Sequence, residues 1–179
     1  GTEPLAALGI SHRIESLVFS TLMGFSIACT TLVGQNLGAK KPERAEQIVW
    51  RTYLFALILN VVFMGLFWLQ APQLMALFIN DADVIAYGTS YLEIIAYCLP
   101  FFALEMIIGG AFSGAGNTVP PMIVTIIGAT LRIPFALLFA DFFSWHVAGI
   151  WWAISFSIIL KGSALALWFK QGHWKMKQV

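Results

Sequence analysis

Five long apolar segments dominate this chain and limit the folds that it can adopt. They cover residues 16–34, 52–71, 86–113, 119–140 and 147–169. A helix needs about 20 apolar residues to cross the hydrocarbon core of a bilayer, and each segment is long enough or nearly so. The strands of a membrane barrel would instead alternate in polarity over about 10 residues. The sequence therefore predicts an all-α, polytopic membrane protein with five transmembrane helices.

The overall composition supports the same class. Of the 179 residues, 59% are hydrophobic and only 11% are charged, with a mean hydropathy of +0.82. Water-soluble domains have roughly 45–50% apolar and about 25% charged residues. This excess of apolar residues excludes a water-soluble fold of this size, so the lipid bilayer is the first expected partner.

The basic residues are concentrated in alternate loops, which predicts the orientation of the chain. The first loop contains Lys40, Lys41 and Arg44, and the tail contains Lys175 and Lys177, whereas the second loop has no Lys or Arg. Basic loops stay on the cytoplasmic side. We therefore expect the first loop, the third loop and the C-terminus to be cytoplasmic, in an inner (plasma) membrane of the bacterial type.

That orientation places the first residue outside, although the sequence shows no signal peptide. A chain of this kind is expected to be the later part of a longer protein.

Three ionisable residues lie deep within the predicted spans, where a charge costs about 3 kcal/mol. Glu93 and Glu105 are in the third span and Arg132 is in the fourth. From the helical rise of about 1.5 Å per residue, Glu93 and Arg132 lie on the outer side of the bilayer centre and Glu105 on the inner side. We expect a structural ion pair between Glu93 and Arg132, and no cationic partner for Glu105.

An unpaired carboxylate at low dielectric constant favours its protonated form, and with further oxygen ligands it can bind a small hard cation such as Na⁺. Glu105 is therefore the first candidate for binding a coupling ion or a cationic substrate, and Glu93 is the second. The alternative for Glu105 is a structural role, as a protonated acid that is hydrogen-bonded within the bundle. No other metal site and no cofactor are expected.

Two prolines interrupt the predicted spans. Pro100 lies between the two glutamates, and Pro134 follows Arg132 by two residues. Proline removes a backbone hydrogen bond and bends a helix, which frees carbonyl groups and provides a hinge in many transporters. We expect both prolines to act as hinges, although proline is also tolerated in membrane helices without a function.

Small and polar residues recur on one face of the first span. They are Ser16, Ser20, Gly24, Ala28, Thr31 and Gln35. We expect this face either to pack against other helices or to line a cavity, and in both cases to look into protein rather than lipid.

Glycines with a four-residue spacing mark the ends of two spans. Gly34 and Gly38 end the first span, and Gly110 and Gly114 end the third. Glycine at this spacing lets a neighbouring helix approach closely. Because both pairs lie at the predicted cytoplasmic side, we expect them to form the packing of an inner gate.

The chain lacks the patterns of an enzyme. Residues 12–15 read H-x-x-E rather than the metal-binding H-E-x-x-H. The sequence has no Walker loop, and no nucleophilic residue has a histidine at a spacing typical of a catalytic pair. The Asp81-Ala82-Asp83 sequence resembles a metal-binding D-x-D, but we interpret it as the N-cap of a helix. The sequence predicts no catalytic residue, no enzymatic activity and no nucleic-acid partner.

Four short motifs resemble those of the multidrug and toxic compound extrusion (MATE) family. Residues 34–45, GQNLGAKKPERA, are similar to its GQ-x-x-GA-x-x-P-x-x-A segment. Residues 5–9, LAALG, resemble the LAA-x-G sequence that precedes it. Residues 110–118, GAFSGAGNT, resemble its G-x-x-x-G-x-G-[DN]-T turn, and residues 131–134, LRIP, match its [LV]R-x-P helix.

The resemblance implies helices 8–12 of a twelve-helix antiporter with two lobes. The chain would then be most of the C-terminal lobe, and its partner would be the missing N-terminal lobe. Members of the family export cationic or amphiphilic drugs in exchange for Na⁺ or H⁺, by alternating access. In many of them an acid on the helix that matches the third span takes part in cation coupling, and Glu93 and Glu105 are the acids available there.

Two other functions remain open. A flippase for lipid-linked saccharides, from the same superfamily, would be expected to have a strongly cationic cavity, whereas Arg132 is the deep cation that we identify here. A non-transporting membrane subunit would show no substrate-dependent transport.

Overall fold

The computed structural model describes residues 2–142 and 145–176, and within these ranges its regular elements are all helical. Lys177, which we included in the basic tail, lies outside them. The fold class predicted from the sequence is confirmed. The elements are α1 (Glu3–Gly38), α2 (Pro42–Ala76), α3 (Ala82–Ala96), α4 (Leu99–Gly114), α5 (Val119–Leu137), a π-helical turn (Leu138–Phe142), α6 (His146–Lys170) and a 3₁₀ turn (His173–Met176).

The described helices provide four or five candidate membrane spans. α1, α2, α5 with the first part of its π-helical turn, and α6 are each long and apolar enough to cross a bilayer. α3 and α4, which are bent by 58° relative to each other, qualify together as a fifth candidate span. The five predicted spans correspond to these elements when the bent pair counts as one.

Several helices extend well beyond the predicted spans. The first span was expected over residues 16–34, but α1 comprises 36 residues and begins at Glu3. α2 begins at Pro42, where the missing N–H of proline is tolerated because the first turn of a helix has no partner for it. Hydropathy marks only the part of a helix that lies in hydrocarbon, so the polar helix ends are missed.

The third span breaks at Tyr97 and Cys98. The Tyr97 N–H donates to the Ile94 carbonyl at 3.3 Å and the Cys98 N–H to Ile95 at 3.0 Å, which are the short-range bonds of a tight turn. α4 starts at Leu99 directly after this turn, and Pro100 lies in its first turn. The kink expected in this span is therefore present, and Pro100 lies beside it.

α1 and α4 end in the same local structure. The Lys41 N–H donates to the Asn36 carbonyl at 2.8 Å, and the Asn117 N–H donates to Phe112 at 2.9 Å. A backbone hydrogen bond to the residue five positions earlier requires a residue in the left-handed conformation just past the helix. These residues are Lys40, with φ 58°, and Gly116, with φ 65°. Glycine adopts this conformation freely, whereas lysine does so at a cost.

Asp81 caps α3, as the sequence predicted. Its Oδ1 accepts hydrogen bonds from the backbone N–H of Asp83 at 3.0 Å and of Val84 at 3.1 Å. The D-x-D sequence therefore serves to begin a helix.

The first loop, the third loop and the C-terminal segment lie at one end of the bundle. The end of α1 contacts the end of α4, because a Cβ on Gly34 would lie 3.2 Å from the Gly114 carbonyl oxygen. Lys175 forms an ion pair of 2.5 Å with Glu46 near the start of α2. We call this the basic end. The sequence analysis predicted that the first loop, the third loop and the C-terminus lie on the same side, and their common position at this end agrees with that prediction.

α6 connects the two sides of the bundle. α1 packs on α2, α3 and α4, whereas α5 reaches the rest of the bundle mainly through α6. At the basic end, Phe169 of α6 lies edge-on to Phe112 of α4 at 5.8 Å and stacks on Trp174 at 4.5 Å. These aromatic contacts fix the end of α6 against α4.

Candidate functional site

Glu105 of α4 forms an ion pair with Lys161 of α6. The Lys161 Nζ donates a hydrogen bond of 2.7 Å to the Glu105 Oε1. Only 12% of the lysine side chain and 14% of the glutamate side chain are exposed. The expectation that Glu105 has no cationic partner is therefore wrong. Such a pair stabilises two charges that would each be costly if they were buried alone.

A glycine of α5 provides the space for the Lys161 side chain. A Cβ on Gly128 would lie 2.6 Å from the Lys161 Cδ, so the lysine stem packs directly on the α5 backbone. The Ser157 hydroxyl, one turn earlier on α6, donates to the Gly128 carbonyl at 2.8 Å. α4, α5 and α6 are thus joined around one lysine.

The second oxygen of Glu105 is not engaged in the same way. Its Oε2 is buried and has no hydrogen-bond donor among the described residues. Glu105 lines a cavity of about 370 Å³, together with hydroxyl-bearing residues of three helices. These residues are Ser26 and Thr30 of α1, Ser113 of α4 and Thr125 of α5.

Oxygen atoms of this kind suit a hard monovalent cation or an ammonium group. Glu105 is the only carboxylate among the described residues that line this cavity. In the described part of the chain, no group of three or more His, Cys, Asp and Glu side chains is arranged to hold a metal ion. The cavity therefore suits one positive charge better than a multivalent metal.

Hydroxyl groups of α1 reach the backbone of α4 beside this cavity. Ser26 Oγ donates to the Met106 carbonyl at 2.8 Å, and Thr30 Oγ1 donates to the Gly110 carbonyl at 2.9 Å. The close approach depends on glycine, because a Cβ on Gly110 would lie 2.5 Å from Ser26 Oγ. α1 and α4 therefore contact each other backbone to backbone.

Three of the four predicted gate glycines lie in this contact. A Cβ on Gly114 would collide with the Thr30 backbone, and Gly34 faces the Gly114 carbonyl. Gly38 has no neighbouring atom within 4 Å of the position of a Cβ, so its inclusion in the packing is wrong. Gly38 is the last residue of α1, where the chain already turns away from α4.

The expected ion pair between Glu93 and Arg132 is not formed among the described residues. The Glu93 side chain is exposed, while its neighbours Leu92 and Ile94 are buried. Arg132 instead lines a second cavity, of about 330 Å³, that also contains Glu15. Its Nε is buried without a partner in the described part of the chain. The depths inferred from residue number matched the two residues, but the Glu93 side chain is exposed whereas Arg132 lines a cavity.

Glu15 is the acid of this second cavity, and the sequence analysis did not select it. Its Oε2 lies 2.9 Å from His12 Nδ1 and accepts a hydrogen bond of 3.0 Å from the Tyr91 hydroxyl. Glu15 was missed because it precedes the predicted span by one residue, whereas α1 begins much earlier. Lys161 was missed although it lies within the predicted fifth span, and a search of that span for ionisable residues would have found it.

The polar face of α1 is not covered by any of the described residues. Ser16, Ser20, Thr31 and Gln35 are all exposed, and so are Gly24 and Ala28. Ser20 and Thr31 donate to carbonyls one turn earlier in α1, at 2.7 and 3.1 Å, rather than to another helix. Within the described residues no other helix covers this face, so the expectation that it looks into protein stays a prediction.

Comparison with known proteins gives three agreeing results. The sequence profile of the MatE family matches residues 1–138. The probable multidrug resistance protein NorM of Thermotoga maritima is 31% identical over 180 residues, covering 100% of this chain and 39% of that protein.

Two solved structures have the same fold. One is described as the inward-facing conformation of a multidrug resistance MATE family transporter of the MOP superfamily, with a TM-score of 0.87, and the other as the outward-facing conformation, with a TM-score of 0.88. Both are 18% identical in sequence. They cover 94% and 97% of this chain, which covers 38% and 39% of theirs. The chain spans less than half the length of these relatives.

Proposed function

Because this chain belongs to the MatE family, we propose that it forms part of a transporter that exports cationic or amphiphilic compounds in exchange for Na⁺ or H⁺. The chain is an integral membrane protein of a multidrug transporter family, not an enzyme. The exchange would occur by alternating access between two lobes. The membrane would be a plasma membrane of the bacterial inner-membrane type, with the basic end in the cytoplasm.

We assign the chain to the C-terminal lobe, helices 8–12. The motifs at residues 34–45 and 110–118 support this assignment, since they fall at the ends of α1 and α4 as the family pattern requires. The exposed polar face of α1 supports a second lobe or a central cavity beside it, because hydroxyl and amide groups are poorly accommodated by lipid. The fold resembles both an inward- and an outward-facing structure, as expected of a lobe that moves as a rigid body.

The observation that carries the proposed mechanism is the Glu105 carboxylate. It is a largely buried acid with one oxygen free of donors among the described residues, beside a cavity that contains four hydroxyl-bearing side chains among apolar ones. We propose that Glu105 binds the coupling ion or the cationic substrate, and that one displaces the other. Glu93 is the second candidate, and its exposed position suits a ligand that approaches from the second lobe.

Pro100 and Pro134 are the proposed hinges for this exchange. Pro100 stands beside the 58° bend between α3 and α4. Pro134 lies inside α5, shortly before the π-helical turn that begins at Leu138. Both are places where the regular hydrogen bonding of a helix is interrupted, so that bending there breaks few further bonds. Gly34, Gly110 and Gly114 are the proposed packing of the inner gate.

A flippase for lipid-linked saccharides is less well supported. The sequence argument against a flippase was that Arg132 is the one deep cation identified. Lys161 is a second deep cation, so that argument is weaker than it was. However, Lys161 is paired with Glu105, and Arg132 shares its cavity with Glu15. Each deep cation therefore has an acid beside it, and neither cavity has the strongly cationic character expected for a lipid-linked saccharide.

The test is Glu105→Gln in the protein encoded by the complete reading frame, reconstituted in vesicles. We expect ethidium efflux to be lost while the amount of folded protein is unchanged. Na⁺ and H⁺ gradients imposed separately identify the coupling ion, and Glu93→Gln tests the second candidate. Wild-type efflux by the Glu105→Gln variant would show that the assignment is wrong. A complete protein that moves no substrate under any gradient would favour the non-transporting subunit.

A further inference from the structure

The Glu105 site already contains one positive charge that belongs to the protein. The Lys161 ammonium bonds one carboxylate oxygen, and the other oxygen has no donor among the described residues. The site therefore holds one negative and one positive charge before any ligand enters. Both side chains are largely buried, so water screens them weakly.

Charge balance limits what can happen when a ligand cation binds there. A second cation beside an intact Glu105–Lys161 pair would leave one uncompensated positive charge in a medium of low dielectric constant, which is strongly unfavourable. Binding becomes favourable only when the Lys161 ammonium leaves the carboxylate and either reaches water or gives up its proton to water. A neutral or anionic ligand gains nothing from replacing it.

The surroundings of Lys161 allow such a movement. Its stem packs on Gly128, and among the described residues the one hydrogen bond of its ammonium goes to Glu105. A lysine side chain has four rotatable bonds beyond its backbone, so the charged group can move while the stem keeps its contact. α5 and α6 therefore do not have to separate.

We infer that Lys161 is a tethered cation that occupies the Glu105 site when no ligand is bound, and that a monovalent cation must displace it to bind. The ligand is either a small inorganic ion or an organic ammonium compound, which share the single positive charge. This inference rests on the proposed role of Glu105. It makes Lys161 a positioning residue that sets the affinity of the site.

The decisive variant is Lys161→Met, which keeps the length of the stem and removes the charge. Binding of Na⁺ is measured by titration calorimetry, and binding of ethidium by fluorescence anisotropy, on the purified complete protein. We expect the Kd of at least one of these cations to fall by about tenfold, equivalent to about 1.4 kcal/mol. A lower Kd for Na⁺ would indicate a site for an inorganic cation, and a lower Kd for ethidium would indicate a site for an organic cation. An unchanged or weaker affinity in both arms would overturn the inference.

Two further variants decide the matter if Lys161→Met does not fold. Lys161→Arg supplies a planar group that can bind both carboxylate oxygens at once, so it should compete better and weaken cation binding. Gly128→Ala changes no charge but displaces the lysine stem, so it should tighten binding. A purely structural ion pair predicts the same Kd for both variants as for the wild-type protein.

The two proposals fail in different ways. If Glu105→Gln exports ethidium normally, the proposed function of Glu105 is wrong. If Glu105→Gln is inactive but the Lys161 variants bind cations like the wild-type protein, Glu105 is the site and only the role of Lys161 is wrong.

Discussion

Lys161 of α6 and Glu105 of α4 are joined by a hydrogen bond of 2.7 Å, in a region where the side chains of both residues are largely buried. The bond links α4, the second half of the bent pair, to α6, the helix on which α5 mainly packs. It also means that the acid with the strongest claim to a functional role is neutralised by a residue of the same chain. The stability of the bundle and the affinity of the site therefore depend on the same two side chains.

Loss of one partner of this ion pair should destabilise the protein. Lys161→Met leaves the Glu105 carboxylate buried without a counter-charge, and removing one partner of a buried pair costs about 3–5 kcal/mol. Thermal unfolding of the purified complete protein in detergent measures the loss. The double variant Glu105→Gln with Lys161→Met should recover most of it. A double variant that is as unstable as Lys161→Met alone would contradict this explanation.

The contact between α1 and α4 should be sensitive to a single methyl group. Gly110→Ala places a Cβ 2.5 Å from Ser26 Oγ and 2.7 Å from the Ser26 carbonyl oxygen, so the helices must move apart. We expect a destabilisation of about 1–3 kcal/mol, as for overpacking in other cores. Gly109→Ala is the matched control, because no atom lies within 4 Å of its Cβ position and alanine favours a helix. Equal unfolding temperatures for the two variants would contradict the close packing.

The hydrogen bond from the Tyr91 hydroxyl to Glu15 should stabilise the folded protein. Tyr91 is 1% exposed and donates a hydrogen bond of 3.0 Å to the carboxylate. Hydrogen bonds to charged groups contribute about 1.5–3 kcal/mol, so Tyr91→Phe should lower the free energy of unfolding by that amount. Tyr97→Phe removes a hydroxyl from a side chain that is 51% exposed and should have little effect. Similar losses in both variants would mean that the bond contributes nothing specific.

A glycine in place of Lys40, just past the end of α1, should stabilise the protein. Lys40 has a φ of 58°, which costs a residue with a side chain about 1–2 kcal/mol relative to glycine. Lys40→Gly should therefore raise the unfolding temperature. Lys41 has a φ of −120°, so Lys41→Gly removes the same charge without relieving strain and should not raise it. If both variants behave alike, the effect comes from the charge and not from the backbone.

The sequence predicted well those features that depend on local composition. Hydropathy located the five spans, Asp81 predicted a helix start, and three glycines marked a close contact between α1 and α4. Each of these signals is carried by residues that are close together in one segment of the chain. The helix ends were predicted poorly, because the polar and charged stretches at residues 11–15 and 43–47 interrupt the hydropathy signal although α1 and α2 continue through them.

The pairing of charges was predicted poorly because it depends on how helices are rotated. Residue number predicts similar depths for Glu93 and Arg132, but the Glu93 side chain is exposed while Arg132 lines a cavity with Glu15. Depth along a helix axis follows from residue number alone, whereas the direction of a side chain follows from which neighbours cover that helix. That information comes only from the packed structure.

The break at Tyr97 and Cys98 has a consequence for how the chain enters a membrane during synthesis. α3 has 15 residues and α4 has 16. At about 1.5 Å per residue they measure roughly 22 and 24 Å, less than the thickness of about 30 Å of a hydrocarbon core. Neither half is therefore a stable insertion unit, and the insertion machinery must release both into lipid together. A frameshift or truncation between them would leave α3 unable to hold its place in the bilayer, even though its own sequence is intact.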